Sequence, residues 1–277
     1  MPLALSSWCF HELFYEGKLS LLDMPAYAAQ LGFTQVELND FMLPAPRWSR
    51  LRRPLLKIFN ASAPQEMWRY TDDNLHRVRS ALDNAKVSCL SWTLDTDFTV
   101  SDAAWGAQLK YIGWGVKAAS LLKAKIIRIT LGGEAHSTHH SEYLIIKRLK
   151  TIASLHPQIT FVVENHWGLS TDIDLFLKIM AEVRAPNCGV CFDPANMPQE
   201  DRQRYWEGLA RQAVHFHFKT LSFNGRGDEA TLDYEHLFSL MNQVGYKGAM
   251  VLEFEGKGDA QIGIKKSFKL FTDITQS

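Results

Sequence analysis

The sequence predicts an α/β fold, a (β/α)8 TIM barrel forming a single domain over residues 1–277. Three observations predict it. Short apolar or β-branched runs alternate with amphipathic helical patterns along the whole chain, which is the signature of parallel strands joined by crossover helices. Eight such units share the 277 residues, about 35 residues each, which suits an eight-fold barrel of about 250 residues. The open doubly wound sheet is the runner-up. It calls for a glycine-rich phosphate turn after the first strand, and here Ser6-Ser7-Trp8-Cys9 leads straight into Phe10-His11.

The strand candidates are LALSSWC at 3–9, FTQVELN at 33–39, KVSCLSW at 86–92 and KIIRITL at 125–131. They continue with QITFVVE at 158–164, CGVCFD at 188–193, AVHFHFK at 213–219 and AMVLEFE at 249–255. Runs this short and this apolar suit strands covered on both faces. Between them the spacing predicts helices over 22–32, 73–85, 102–122, 141–155, 171–183, 232–245 and 261–274, with a weaker one over 201–211. Asp73 and Asp102 are read as N-caps. Ser170-Thr171-Asp172 supplies another cap and puts negative charge at a positive helix end. Gly32 and Gly245 stand where a helix closes in a left-handed residue.

One connection, residues 40–72, is long for a compact domain. It carries Arg47, Arg50, Arg52, Arg53, Lys57 and Arg69 and follows the second strand. It reads either as a solvated surface excursion or as a lid over an anionic or polyhydroxylated substrate.

Composition excludes several classes. Thirty basic and 30 acidic residues give zero formal charge, which disfavours nucleic acid as a partner. No run of about 18 apolar residues is present, so no membrane span is expected. The first residues lack the basic and apolar regions of a signal peptide. Cys9, Cys89, Cys188 and Cys191 form no disulfide framework, and the single C-x-x-C at 188–191 lacks a second pair to complete a zinc site. A cytoplasmic enzyme with a small-molecule substrate is the default; assembly into a homo-oligomer is left open.

Barrel enzymes place their chemistry at the C-terminal ends of strands. Glu164 ends the fifth run, Asp193 the sixth, His217 lies near the end of the seventh, and Glu253 or Glu255 ends the eighth. Three carboxylates and an imidazole on neighbouring strands can coordinate one divalent cation. Oxygen-rich donors favour Mn or Mg, with Zn or Co as rivals. Without a cation, converging carboxylates would resist ionisation. Strand parity puts His215 and His217 on one face, about 6.6 Å apart. His217 is nearer the mouth and His215 one layer deeper, as support. The same parity applies to Glu253 and Glu255, and nearness to the mouth favours Glu255.

The chain resembles the sugar phosphate isomerase/epimerase family of the xylose isomerase-like TIM barrel superfamily over essentially its whole length. LGFTQVEL at 31–38 is an early marker. The stronger ones are VENHWG at 163–168, FDPAN at 192–196, HFHFK at 215–219 and LEFE at 252–255. The resemblance implies a metal held by Glu164, Asp193, His217 and Glu253, so it prefers Glu253 as ligand and leaves Glu255 in support. Relatives often carry an acid after the lysine of the third of these markers; here Thr220 follows Lys219.

The implied reaction is isomerisation or epimerisation of a sugar or sugar phosphate by proton transfer through an enediolate. Glu164 and Glu253 form the acid/base pair and double as ligands. His166, Lys219 and Asn196 are candidates for substrate contacts, and Trp8 and Trp167 for an apolar wall against a sugar face. Glu37 ends no strand and reads as a structural inward acid. HSTHH at 136–140 reads as a solvated loop or a source of extra ligands. The rivals are a metal-dependent dehydratase of a keto-polyol, an apurinic endonuclease, which zero net charge disfavours, and a non-catalytic sugar-binding barrel.

Overall fold

A computed structural model describes residues 3–44, 69–134 and 142–276. Eight parallel strands close on themselves in chain order, each hydrogen-bonded to the next and β8 to β1. They are β1 (Leu3–Ser6), β2 (Gln35–Asn39), β3 (Ser88–Thr93), β4 (Ile126–Ile129), β5 (Thr160–Glu164), β6 (Cys188–Phe192), β7 (Ala213–Thr220) and β8 (Ala249–Phe254). The barrel is the fold that the alternation of patterns predicts. The strands are buried almost throughout, because helices cover the outer face and side chains fill the interior.

Around the barrel lie α1 (His11–Tyr15), α2 (Met24–Gln30), α3 (Asp72–Ala85), α4 (Asp102–Leu122), α5 (Glu142–Leu155), α6 (Ile173–Val183), α7 (Arg202–Gln212), α8 (Tyr234–Gln243) and α9 (Ala260–Gln276). Two expected caps move. Thr71, not Asp73, caps α3 by accepting from the Asn74 amide, and Ser101 precedes α4. Asp73 and Asp102 fall in the first turns, where their charge still meets the positive helix end. Asp172 caps α6 through the Leu175 amide. Gly32 and Gly245 adopt φ of 87° and 68° just past α2 and α8.

The first strand is shorter than its apolar run. After Ser6 the chain turns into a 3-10 segment, Ser7–Phe10, so Trp8 leaves the barrel wall. α1 had no signal in the sequence; at five residues it is too short for a periodicity to show. Most of the 40–72 connection, with Arg47, Arg50, Arg52, Arg53 and Lys57, lies outside the described residues, as does 136–140. The two ends of that connection are joined, because Tyr70 donates to the buried Asp40 carboxylate at 2.9 Å. Among the described residues, no helix is long and apolar enough to cross a membrane.

One glycine contact fixes the loops after β4 and β5 together. Gly168 has φ of 70°, and a Cβ there would sit 2.5 Å from the Gly132 carbonyl oxygen. Only glycine allows that approach, and the Leu169 amide then donates to the same oxygen at 2.9 Å.

Candidate active site

The ends of β5 to β8 bring Glu164, Asp193, His217 and Glu253 together, each offering one donor atom within 4.8 Å of the others. All four are buried. Nδ1 of His217 faces Glu164 Oε1 at 3.2 Å, Glu253 Oε2 at 3.4 Å and Asp193 Oδ2 at 3.6 Å. His217 Nδ1 and Asp193 Oδ2 lack a well-directed hydrogen bond, although the Lys219 ammonium approaches the latter at 3.1 Å. Buried polar atoms are normally satisfied, so this convergence of hard oxygens and one imidazole suits a divalent cation. The donor chemistry therefore fits the group that the resemblance implies.

Each member is held by its neighbours. Asn165 clamps the start of the β6 loop with two buried hydrogen bonds, donating to the Asp193 carbonyl at 2.8 Å and accepting from the Asp193 amide at 2.9 Å. Asp193 Oδ1 accepts from the Ala195 amide, which turns Oδ2 toward the cluster. Asn196 donates to Glu164 Oε1 at 3.1 Å. Ser6 donates to Glu253 Oε1 at 3.1 Å.

Two buried cations balance the acids. Arg128 on β4 places Nε 2.9 Å from Glu164 Oε2 and reaches Asp95 at 3.0 Å. Burial alone would raise the Glu164 carboxyl, yet Arg128, His166 and His217 outweigh it and bring it down to about 2. Lys219 lies 2.7 Å from Glu253, 2.9 Å from Glu255 and 3.1 Å from Asp193. Against the cost of burial, Lys219 and His217 hold Glu253 well below the usual carboxylate range. Burial pulls the other way on Lys219 too, but Asp193, Glu253 and Glu255 raise its ammonium well above the ordinary lysine value.

The remaining expected residues divide by depth. His215 is fully buried one layer below His217, at 3.0 Å from Glu37. Glu255 stands outside the four-residue cluster, part-exposed, bound to Lys219 and to the Trp8 indole N–H at 2.8 Å. His166 is half-buried in the loop after β5, with Nδ1 buried and without a partner. Trp8 stacks on His11, with ring centroids 4.5 Å apart, and Trp167 is exposed. Thr220, which follows Lys219, turns away and pairs with Ser267 of α9 at 2.6 Å. The four cysteines are unpaired. The Cys191 thiol lies among His215 and His217 as a second, deeper group of potential ligands.

Sequence reasoning missed Arg128 and Asn165. A lone arginine in the run KIIRITL was the available signal, since a charge is rarely buried without a partner. Asn165 stood inside the VENHWG motif, but nothing in its spacing marked it as the clamp on Asp193.

Fold and site together define a TIM barrel built around a buried carboxylate–imidazole cluster at the C-terminal ends of its strands. More particularly, the chain belongs to the xylose isomerase-like TIM barrel family, whose model matches residues 25–274. Among solved structures it is similar to the probable 3-DHS dehydratase AsbF from Bacillus anthracis. The two share 16% identity and a TM-score of 0.68, over 98% of this chain and 99% of that one. It is also similar to a D-tagatose 3-epimerase-like protein, at 14% identity and a TM-score of 0.67, over 100% and 97% of the two chains. A third similar structure is the 3-keto-D-glucoside 4-epimerase YcjR from E. coli, at 13% identity and a TM-score of 0.66, over 100% of both chains. No curated protein matches the sequence.

Proposed function

We propose that the protein is a metal-dependent isomerase or epimerase of a small sugar or sugar phosphate. The observation that carries this reading is the convergence of Glu164, Asp193, His217 and Glu253 at four successive strand ends. They would hold one divalent ion, Mn or Mg ahead of Zn or Co by the hardness of the oxygen donors. When bound, the ion supplies Lewis-acid polarisation of the sugar's carbonyl and hydroxyl oxygens.

The chain's own residues do the rest. A carboxylate beside the substrate, Glu164 or Glu253, takes the proton from the carbon next to the carbonyl. The enediolate that results is neutralised by Lys219. The proton returns to the neighbouring carbon for isomerisation, or to the opposite face of the same carbon for epimerisation. His166, with its unpartnered Nδ1, and Asn196 contact hydroxyls. Trp8 and Trp167 flank the sugar face. The same reading places the protein in the cytoplasm, a compartment consistent with four unpaired cysteines.

A dehydratase is the second reading. Loss of a β-hydroxyl from the same enediolate needs a proton donor, and the Lys219 ammonium sits within the acid cluster at 2.7 Å from Glu253.

The test is incubation of the Mn-loaded protein in D2O with a keto-inositol, hydroxypyruvate and a panel of ketohexoses. Proton transfer puts deuterium on the carbon beside the carbonyl and yields an isomer or epimer. Loss of water from the product selects the dehydratase. No incorporation with any substrate, metal present, overturns both.

A further inference from the structure

We propose that Glu37 is a positioning residue for the cluster, its one carboxylate fixing which nitrogen of His217 is turned toward Glu164, Asp193 and Glu253. The inference rests on the metal-centred reading above and assigns a role to an acid on the far side of the barrel from β7.

Glu37 lies inside β2 and is only 1% exposed. Its Oε2 lies 3.0 Å from His215 Nε2 and accepts from the Ser91 hydroxyl at 2.7 Å. Its Oε1 lies 3.2 Å from His217 Nε2; both histidine contacts are close charge pairs rather than well-directed hydrogen bonds. Three strands therefore converge on one buried carboxylate, with Ser91 on β3 and both histidines on β7. A carboxylate is acceptor-only and has lone pairs for all three groups. An ionised Glu37 without them would be costly to bury.

The consequence falls on His217. A neutral imidazole carries one N–H and one lone pair, on different nitrogens. With the proton on Nε2, facing Glu37, the lone pair is on Nδ1, which faces the three carboxylates of the cluster at 3.2 to 3.6 Å. The other tautomer would aim a lone pair at the Glu37 carboxylate and an N–H into the place of a cation. Glu37 thus favours, by its charge beside Nε2, the form of His217 that can ligate. A ligating imidazole whose other nitrogen is held by a carboxylate is a recurrent device for orienting the ligand and raising its basicity. His215 enters through the same carboxylate. It approaches Oε2 together with Ser91, while Oε1 is the oxygen nearer His217.

The experiment is titration of the full, metal-stripped chain with Mn(II), reading free ion by electron paramagnetic resonance. Wild type, Glu37→Gln and Glu164→Gln are compared, with circular dichroism to establish that each is folded. Glu37→Gln keeps the shape but loses the charge, and it is expected to bind Mn(II) about 10- to 100-fold more weakly. Long-range 1H–15N correlation on the metal-free protein, at a pH high enough that the His217 ring is neutral and no ion dictates its tautomer, gives a second readout that a purely structural role would not move. His217 shows a single Nε2–H form in wild type and a mixture in Glu37→Gln. Folded Glu37→Gln that binds Mn(II) as wild type does, with an unchanged His217 signal, overturns the inference alone. Wild type that takes up no divalent ion overturns the proposed function along with it. Should Glu37→Gln not fold, Ser91→Ala removes the hydroxyl that anchors Oε2. A several-fold loss of Mn(II) affinity is then expected, and an unchanged affinity is the overturning result.

Discussion

Lys219 on β7 and Glu253 on β8 are register partners, and their charged groups meet at 2.7 Å inside the protein. The same ammonium reaches Asp193 at 3.1 Å and Glu255 at 2.9 Å. One lysine thus sets the charge balance of the acids at the ends of β6 and β8, while Arg128 does the same for Glu164 from the opposite side.

Lys219→Met keeps the length of the side chain and removes that charge. Losing one partner of a buried ion pair costs about 3–5 kcal/mol, so the metal-free variant is expected to melt well below wild type. Saturating Mn(II) should restore part of the loss, since a cation then offsets the carboxylates. Turnover should fall by about 10²- to 10⁴-fold if Lys219 protonates or neutralises the reacting oxygen. A metal-free melting temperature equal to wild type would show that Lys219 has no part in the charge balance.

Glu164→Gln is expected to abolish turnover and to lower bound metal, measured by elemental analysis of the dialysed protein. Normal metal content together with a normal rate would remove Glu164 from the assignment.

Metal uptake should depend on pH through His217. Burial works to lower its imidazole, but Cys191, Glu253, Glu164 and Glu37 raise it well above the ordinary 6.5 in the absence of an ion. A raised value means that the protonated form stabilises the metal-free fold. That contribution is complete below 6.5 and is lost as the pH rises through the folded value. Binding an ion at Nδ1 must displace the proton, so Mn(II) affinity is expected to increase with pH above neutrality and then level off. Calorimetry at pH 7 in buffers of different ionisation enthalpy should register proton release. A pH-independent affinity without proton release would exclude Nδ1 as a ligand.

Asn165→Leu should separate loop positioning from metal contact. It leaves the Asp193 amide and carbonyl without their partner, at about 1–3 kcal/mol for each buried group. Chemical denaturation should show that loss in the metal-free protein, and Mn(II) affinity should fall because Asp193 is no longer held. Unchanged stability would mean that the backbone groups find other partners.

By itself the sequence determined the alternation of strands and helices, and with it the barrel. The reason is local: strands covered on both faces are short apolar runs, and amphipathic helices between them permit only parallel pairing. It also determined that Glu164, Asp193, His217, Glu253 and Glu255 lie near strand ends. It could not say where strands stop. β1 ends at Ser6 and β4 at Ile129, before their apolar runs do: a 3-10 segment takes over at Ser7, and past Ile129 the chain bonds to Thr96 and Phe98 of the loop after β3. Nor could it say what faces what. Parity puts Glu253 and Glu255 on one face, as it does His215 and His217, but closure of the sheet sets their depth. Glu253 therefore joins the cluster while Glu255 remains near the surface with Trp8 and Lys219. Arg128 meeting Glu164, and Glu37 meeting two histidines from across the barrel, depend on strands far apart in the chain. Only tertiary structure decides such contacts, because a buried charge selects its partner by distance in space and leaves no periodicity in the sequence to mark it.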